Sequence, residues 1–203
     1  MTITYTYENS LYVNITNRCP NACSFCIRTQ ADRFYADNLW LEREPTAEEI
    51  LSDILAQTPT QFDAVVFCGY GEPTERLDDM LFVCRALKER FPSLLLRLNT
   101  NGQADLIVGR DTAPSFSGTF DIISISLNAP TAQGYQAICR SRYGEKAFAA
   151  ILSFAKQVKR YVPQVVFSVV RNTIPDDDLS RCQSIADQCG IPLRIRNYIK
   201  TQT

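Results

Sequence analysis

The stretch RCPNACSFC (Arg18–Cys26) places Cys19, Cys23 and Cys26 within eight consecutive positions. Its position decides the fold. LYVNIT (11–16) runs straight into it and alternates apolar with polar residues, as a strand does. The cysteines therefore occupy a loop beyond the C-terminal end of a strand, where α/β folds place their active sites.

Downstream, the same reading repeats. A polar loop extends to about Glu44, and TAEEILSDILAQ (46–57) reads as an amphipathic helix with Thr46 as N-cap, Glu49 three residues later, and a stripe of Ile50, Ile54 and Leu55. Strands are expected at 64–68, 94–102, 121–129, 164–170 and 193–199. Helices are expected at 77–91, 131–139, 145–160 and 177–190, with a short one inside 103–119. Strand and helix alternate about six times with no linker or break in composition, which argues for one domain, 1–203, built on a parallel sheet.

The strand faces choose between an open doubly wound sheet and a barrel. Taking every second residue gives Tyr12, Asn14 and Thr16; Arg97, Asn99 and Asn101; Ser124, Ser126 and Asn128; Arg194, Arg196 and Tyr198. The alternate positions are aliphatic: Leu11, Val13 and Ile15; Leu96 and Leu98; Ile123, Ile125 and Leu127; Leu193 and Ile195. Helices outside and a wet concavity inside would produce this pattern. Six strands are too few for the closed eight-stranded form. The expectation is an α/β fold, a parallel (β/α)6 partial TIM barrel.

Composition narrows the chemistry. The N-terminus, MTITYTYENS, has no basic and apolar leader pattern and no run is long enough to span a bilayer, so the expected location is the cytoplasm, with no membrane partner. Reducing surroundings favour metal binding or catalysis over disulfides for clustered cysteines. A formal charge of −1 without a basic block leaves nucleic-acid binding unsupported. Histidine is absent, which excludes Cys/His zinc fingers and imidazole bases. On the residues alone, two metal readings stay open. Zinc would need Cys68 or another distant cysteine to complete an all-thiolate structural site. A cubane iron–sulfur cluster held by three thiolates would keep one iron open for an outside ligand.

Cys19-x3-Cys23-x2-Cys26, with Phe25 just before the last cysteine, resembles the signature of the radical S-adenosylmethionine (radical SAM) superfamily. GYGEP (69–73) resembles that family's glycine-rich motif, and SISLNA (124–129) stands where a ribose-contacting strand is expected. More narrowly, CPNACSFCIR, GYGEPTERLD, RLNTNG and SLNAP are similar to the TatD-linked radical SAM group. The resemblance implies a [4Fe-4S] cluster on Cys19, Cys23 and Cys26, with S-adenosylmethionine chelated at the open iron and cleaved to a 5′-deoxyadenosyl radical that abstracts hydrogen from an unidentified, possibly anionic substrate. It implies further that Phe25 packs near the adenine; that Gly69, Tyr70, Gly71 and Glu72 meet the methionyl ammonium; and that Asn99, Ser126 and Asn128 contact ribose or carboxylate. Arg97, Arg194 and Arg196 project to the same expected interior, with Arg171 near the top of the fifth strand, and arginine suits bidentate recognition of a carboxylate or phosphate. An electron donor such as flavodoxin or ferredoxin and a TatD-type hydrolase are the implied partners. The competing functions are a glycyl-radical activase acting on a protein, and a zinc-stabilised binding protein. Of the other cysteines, Cys68 and Cys139 stand nearest the loop side; Cys84, Cys182 and Cys189 read as buried helix residues.

Overall fold

A computed structural model describes residues 1–29 and 38–197. Seven strands form one sheet in the order of the chain: β1 (Thr4–Tyr7), β2 (Ser10–Val13), β3 (Ala64–Phe67), β4 (Leu96–Thr100), β5 (Ile122–Ser126), β6 (Gln164–Val170) and β7 (Leu193–Arg196). β1 pairs antiparallel with β2, and every later pair is parallel. β2 to β7 are the six expected strands. β1 was not expected; Thr4-Tyr5-Thr6-Tyr7 alternates, and Glu8 turns the chain with φ 51°. No pairing joins β1 to β7 among the described residues, so the sheet is open. Tyr198, expected at the end of the last strand, lies outside the described residues, as does part of the loop after the cysteines.

Between the parallel strands run α1 (Ala47–Ala56), α2 (Leu77–Arg90), α3 (Ala104–Val108), α4 (Ala132–Cys139), α5 (Lys146–Val158) and α6 (Asp176–Cys189). Their ends follow local chemistry. Thr46 accepts from the Glu49 N–H while the Glu49 carboxylate accepts from the Thr46 N–H, the reciprocal capping box read from the sequence. Asp176, Asp177 and Asp178 fill the first turn of α6, where the helix dipole favours negative charge. Gly190 ends α6 at φ 61°, a conformation that costs a side-chain-bearing residue more.

The aliphatic strand face builds the core. Leu11, Val13 and Ile15, then Val65, Phe67, Leu96, Leu98, Ile123, Ile125, Leu127, Phe167 and Val169 pack against helix residues such as Ile50, Ile54, Met80, Leu87, Ile151 and Phe154. Each such side chain removed from water stabilises the fold by about 1.5–3 kcal/mol before entropy is counted. The opposite face holds Asn14, Ser124 and Ser168, all buried, and opens at the C-terminal ends of the strands. Strand β7 departs from this at the edge, where Ile195 is 41% exposed because no further element covers it among the described residues.

Candidate active site

The C-terminal strand ends surround a cavity of about 220 Å³. Its wall includes Cys19, Cys23 and Cys26, together with Phe25, Cys68, Gly69, Tyr70, Gly71, Glu72, Asn99, Ser126 and Asn128. Eleven of the twelve residues singled out in the sequence thus meet in one place; Arg194 does not line the cavity, whereas Arg196, two residues on, does. Arg171 is exposed and outside it.

The cysteine loop is held from two sides. On one, it docks on the C-terminal end of α4: Ala22 N donates to Cys139 O at 3.0 Å, Ser24 N to Ile138 O at 2.9 Å, and Arg142 N to Pro20 O at 2.8 Å. A buried side-chain network supports this docking. Asn21 Nδ2 and Gln103 Nε2 both donate to Tyr135 Oη at 3.0 Å, Gln103 Nε2 also reaches Asn21 Oδ1 at 2.9 Å, and Ser141 Oγ donates to Gln103 Oε1 at 2.6 Å. None of these four residues was anticipated, because their partners lie 32 to 114 positions apart. On the other side, Asn14 Nδ2 donates to Leu39 O at 2.7 Å, and Asn17 exchanges two hydrogen bonds with the Leu41 backbone, so the far end of the long loop is tied to the chain leaving β2.

The setting disfavours the thiolate form of the three loop cysteines. Burial, reinforced by the nearby Glu72 carboxylate, pushes Cys19 up to about 12. Burial also raises Cys26. Cys23 is raised first by its hydrogen bond to Cys139 and then by burial, while Cys139 is lowered by that same bond and further by those from Asn128 and Tyr135. Cys68 is raised by burial, opposed by a hydrogen bond from Asn99. No three Cys, Asp or Glu side chains among the described residues converge as a preformed ion site. A thiolate-bound group must displace the protons as it enters.

The glycines of GYGEP line the cavity, and they also let the protein approach itself. A Cβ on Gly69 would lie 2.1 Å from Asn14 Oδ1, and one on Gly71 would lie 2.2 Å from Thr16 O and 2.6 Å from Arg18 O. Tyr70 between them is 3% exposed, donates its N–H to Asn14 Oδ1 at 3.3 Å, and packs with Tyr5 and Leu39, its ring 5.2 Å from Trp40. Glu72, 4% exposed, already accepts four hydrogen bonds: Thr74 N, Thr74 Oγ1 and Thr100 Oγ1 on Oε1, and Asn101 N on Oε2 at 2.7 Å. Burial raises its pKa, and these donors oppose the rise. It ties β3's loop to the end of β4 and brings a carboxylate to the cavity wall.

The cavity also contains unsatisfied polar atoms. Asn101 Nδ2, Asn128 Oδ1 and Arg196 Nε are buried without a partner among the described residues. Asn128 lies beyond the end of β5 in the left-handed region, φ 57°, its Nδ2 directed at Cys139 Sγ at 3.5 Å. Three such atoms on one wall are costly unless a polar ligand completes them. With three thiols beside them, the residues fit a thiolate-bound cluster and a polar organic cofactor.

The family profile described as the Radical SAM superfamily matches residues 13–182. Among solved structures, Streptococcus suis SuiB bound to S-adenosylmethionine is 17% identical with a TM-score of 0.66, covering 97% of this chain and 42% of that one. SuiB bound to the precursor peptide SuiA is 18% identical, TM-score 0.65, covering 97% and 40%. A radical SAM methyltransferase from Sphaerobacter thermophilus is 16% identical, TM-score 0.60, covering 96% and 68%. At these identities the likeness is one of fold, and the chain spans about two-fifths of the length of SuiB. No curated protein matches the chain. No helix among the described residues is long and apolar enough to cross a membrane.

Proposed function

The chain belongs to the radical SAM superfamily of enzymes, and from that premise we propose that Cys19, Cys23 and Cys26 hold a [4Fe-4S] cluster whose open iron binds S-adenosylmethionine. When bound, the cluster supplies one electron to the sulfonium, releasing methionine and a 5′-deoxyadenosyl radical for hydrogen abstraction from a substrate. The chain's own residues position and shield these groups. Phe25 offers a flat apolar surface to the adenine. Glu72 keeps a carboxylate beside the cysteines for the methionyl ammonium, with the backbone of Gly69, Tyr70 and Gly71 around it. Asn99, Ser126, Asn101 and Asn128 offer hydrogen bonds to ribose hydroxyls and the methionyl carboxylate.

The observation that carries this reading is the placement of Asn101 Nδ2, Asn128 Oδ1 and Arg196 Nε, unpaired and buried, in the same cavity wall as the three thiols. An electron donor of the flavodoxin or ferredoxin kind supplies the reducing equivalent, and the cytoplasm is the setting that keeps the thiols reduced. The motifs CPNACSFCIR and GYGEPTERLD support a place in the TatD-linked group, with a TatD-type hydrolase as an associated protein. The test is anaerobic reconstitution followed by dithionite and S-adenosylmethionine. Wild type is expected to form 5′-deoxyadenosine, and Cys23→Ala none. Protein carrying about four irons that leaves S-adenosylmethionine intact would refute the proposal.

A further inference from the structure

Three arginines on the inner face of the sheet form no ion pair among the described residues. The inference drawn from them rests on the enzyme reading above and extends it to the substrate. Arg97 on β4 lies within electrostatic reach of Arg194, Tyr12 and Cys68, and Arg196 on β7 within reach of Cys68, Arg194, Arg97 and Tyr12. Strands β4 and β7 are separated by β5 and β6 in the sheet, so this influence acts across the concavity rather than between paired strands. Burial and the neighbouring guanidiniums lower both Arg97 and Arg196.

Five arginines are matched to acids: Arg18 to Glu44, Arg43 to Glu49, Arg76 to Asp79, Arg142 to Glu75, Arg181 to Asp178. Among the described residues, Arg97, Arg194 and Arg196 form no ion pair. Arg97 commits only its Nε, to Asn99 Oδ1 at 3.0 Å, and Arg196 Nε is buried without a partner. Tyr12 and Cys68 supply no negative charge near neutral pH, since burial raises both. Arg97 and Arg196 are part-buried and Arg194 is exposed beside them; desolvation of the first two and the mutual repulsion of all three are unfavourable. A planar oxyanion accepting paired N–H bonds reverses both effects.

We propose that Arg97, Arg194 and Arg196 anchor an oxyanion of the substrate, a carboxylate or a phosphate, in the interior beside the cofactor cavity. Position separates this group from the methionyl carboxylate of the cofactor. Arg97 and Arg194 do not line the cysteine cavity; each lies two residues before a residue that does, Asn99 and Arg196, about 6.6 Å further from the strand ends at the rise of an extended chain. The cofactor's carboxylate belongs beside the cysteines. Arg196 stands at the boundary, touching the cavity and the arginine group alike.

The experiment uses anaerobically loaded protein and calorimetric titration with inorganic phosphate and with succinate, each repeated with saturating S-adenosylmethionine. At least one probe is expected to bind saturably, with its affinity unreduced by S-adenosylmethionine. Arg97→Gln and Arg194→Gln are expected to weaken it about tenfold or more; Arg110→Gln, on the surface, serves as the control. Arg97→Lys keeps the charge and is expected to recover part of the affinity, which separates lost binding from lost folding. The proposal fails if neither probe binds wild type, if binding survives both Gln substitutions, or if S-adenosylmethionine displaces the probe, which would give the arginines to the cofactor's carboxylate. Arginine-dependent probe binding in protein that does not cleave S-adenosylmethionine would uphold the anchor and count against the enzyme reading alone.

Discussion

Gly71→Ala isolates the contact that seats the cysteine loop. No positive φ is recorded at Gly71, so alanine meets no backbone penalty there and the cost is one of space. The added methyl would sit 2.2 Å from Thr16 O and 2.6 Å from Arg18 O, against an ordinary contact of about 3.4 Å or more. Both carbonyls are main chain, so the segment leading into Cys19 must move by about 1 Å. The displacement strains the hydrogen bond from Glu72 N to Arg18 O, 2.8 Å. Overpacking of this kind costs about 1–3 kcal/mol, and loss of a hydrogen bond adds about 1 kcal/mol. In a domain of this size a total of about 3 kcal/mol lowers Tm by about 6–12 °C. A shift of 1 Å also exceeds the tolerance of about 0.5 Å for a preorganised site. Differential scanning calorimetry with iron analysis after reconstitution reads both effects. Gly69→Ala, whose added methyl would meet the Asn14 side chain down to its Cβ at 2.8 Å, is the comparison in which a side chain rather than main chain is displaced. If Gly71→Ala melted within 2 °C of wild type and loaded the same iron, the packing role assigned to the GYGEP turn would be wrong.

Tyr135→Phe removes the acceptor for Asn21 Nδ2 and one of two for Gln103 Nε2 in a buried setting; the expected loss of about 1–3 kcal/mol is measured by denaturant titration, accompanied by lower cluster occupancy. Thr46→Ala, remote from the cavity, is expected to cost about 1 kcal/mol by removing the cap of α1 and to leave iron content unchanged. The Glu49 carboxylate is lowered to about 2 from 4.5, first by Arg43 and then by the Thr46 N–H. Its folded pKa lies below its unfolded one, so its contribution is present above pH 4.5 and is lost as pH falls toward 2. Melts across that window are expected to show a smaller acid loss in Arg43→Gln than in wild type.

How much of this was legible depended on range. Period-two alternation located six strands to within a few residues, and Thr46 with Glu49 announced a helix start, because both signals lie within one element. Asn14, Asn99, Ser126 and Arg196 could be assigned to the inner face by counting alternate positions. Residue 128 was reached by the same count yet lies past the strand at positive φ, where alternation no longer describes the backbone. Thr4–Tyr7 alternates as clearly as any strand, but a segment read for leader character was not read for pairing. The network of Asn21, Gln103, Tyr135 and Ser141 left no trace, since each residue alone is an ordinary polar or aromatic side chain and only the fold brings them together. Cys139 carried a partial signal in standing near the loop side of the sheet; its bond to Cys23 needed coordinates. The packing of Gly71 against Thr16 O and Arg18 O is illegible for a related reason: sequence shows that a glycine is needed, not which neighbour needs it.

The most direct test of the account is electron paramagnetic resonance of the reduced, cluster-loaded protein with and without S-adenosylmethionine. Three thiolates leave one iron without a protein ligand, so the cofactor should bind there and change the cluster signal. The account predicts a reduced [4Fe-4S] signal whose g values shift on addition of S-adenosylmethionine and that is missing from Cys19→Ala, Cys23→Ala and Cys26→Ala. A cluster signal unchanged by saturating S-adenosylmethionine, or colourless protein carrying stoichiometric zinc after the same reconstitution, would contradict it.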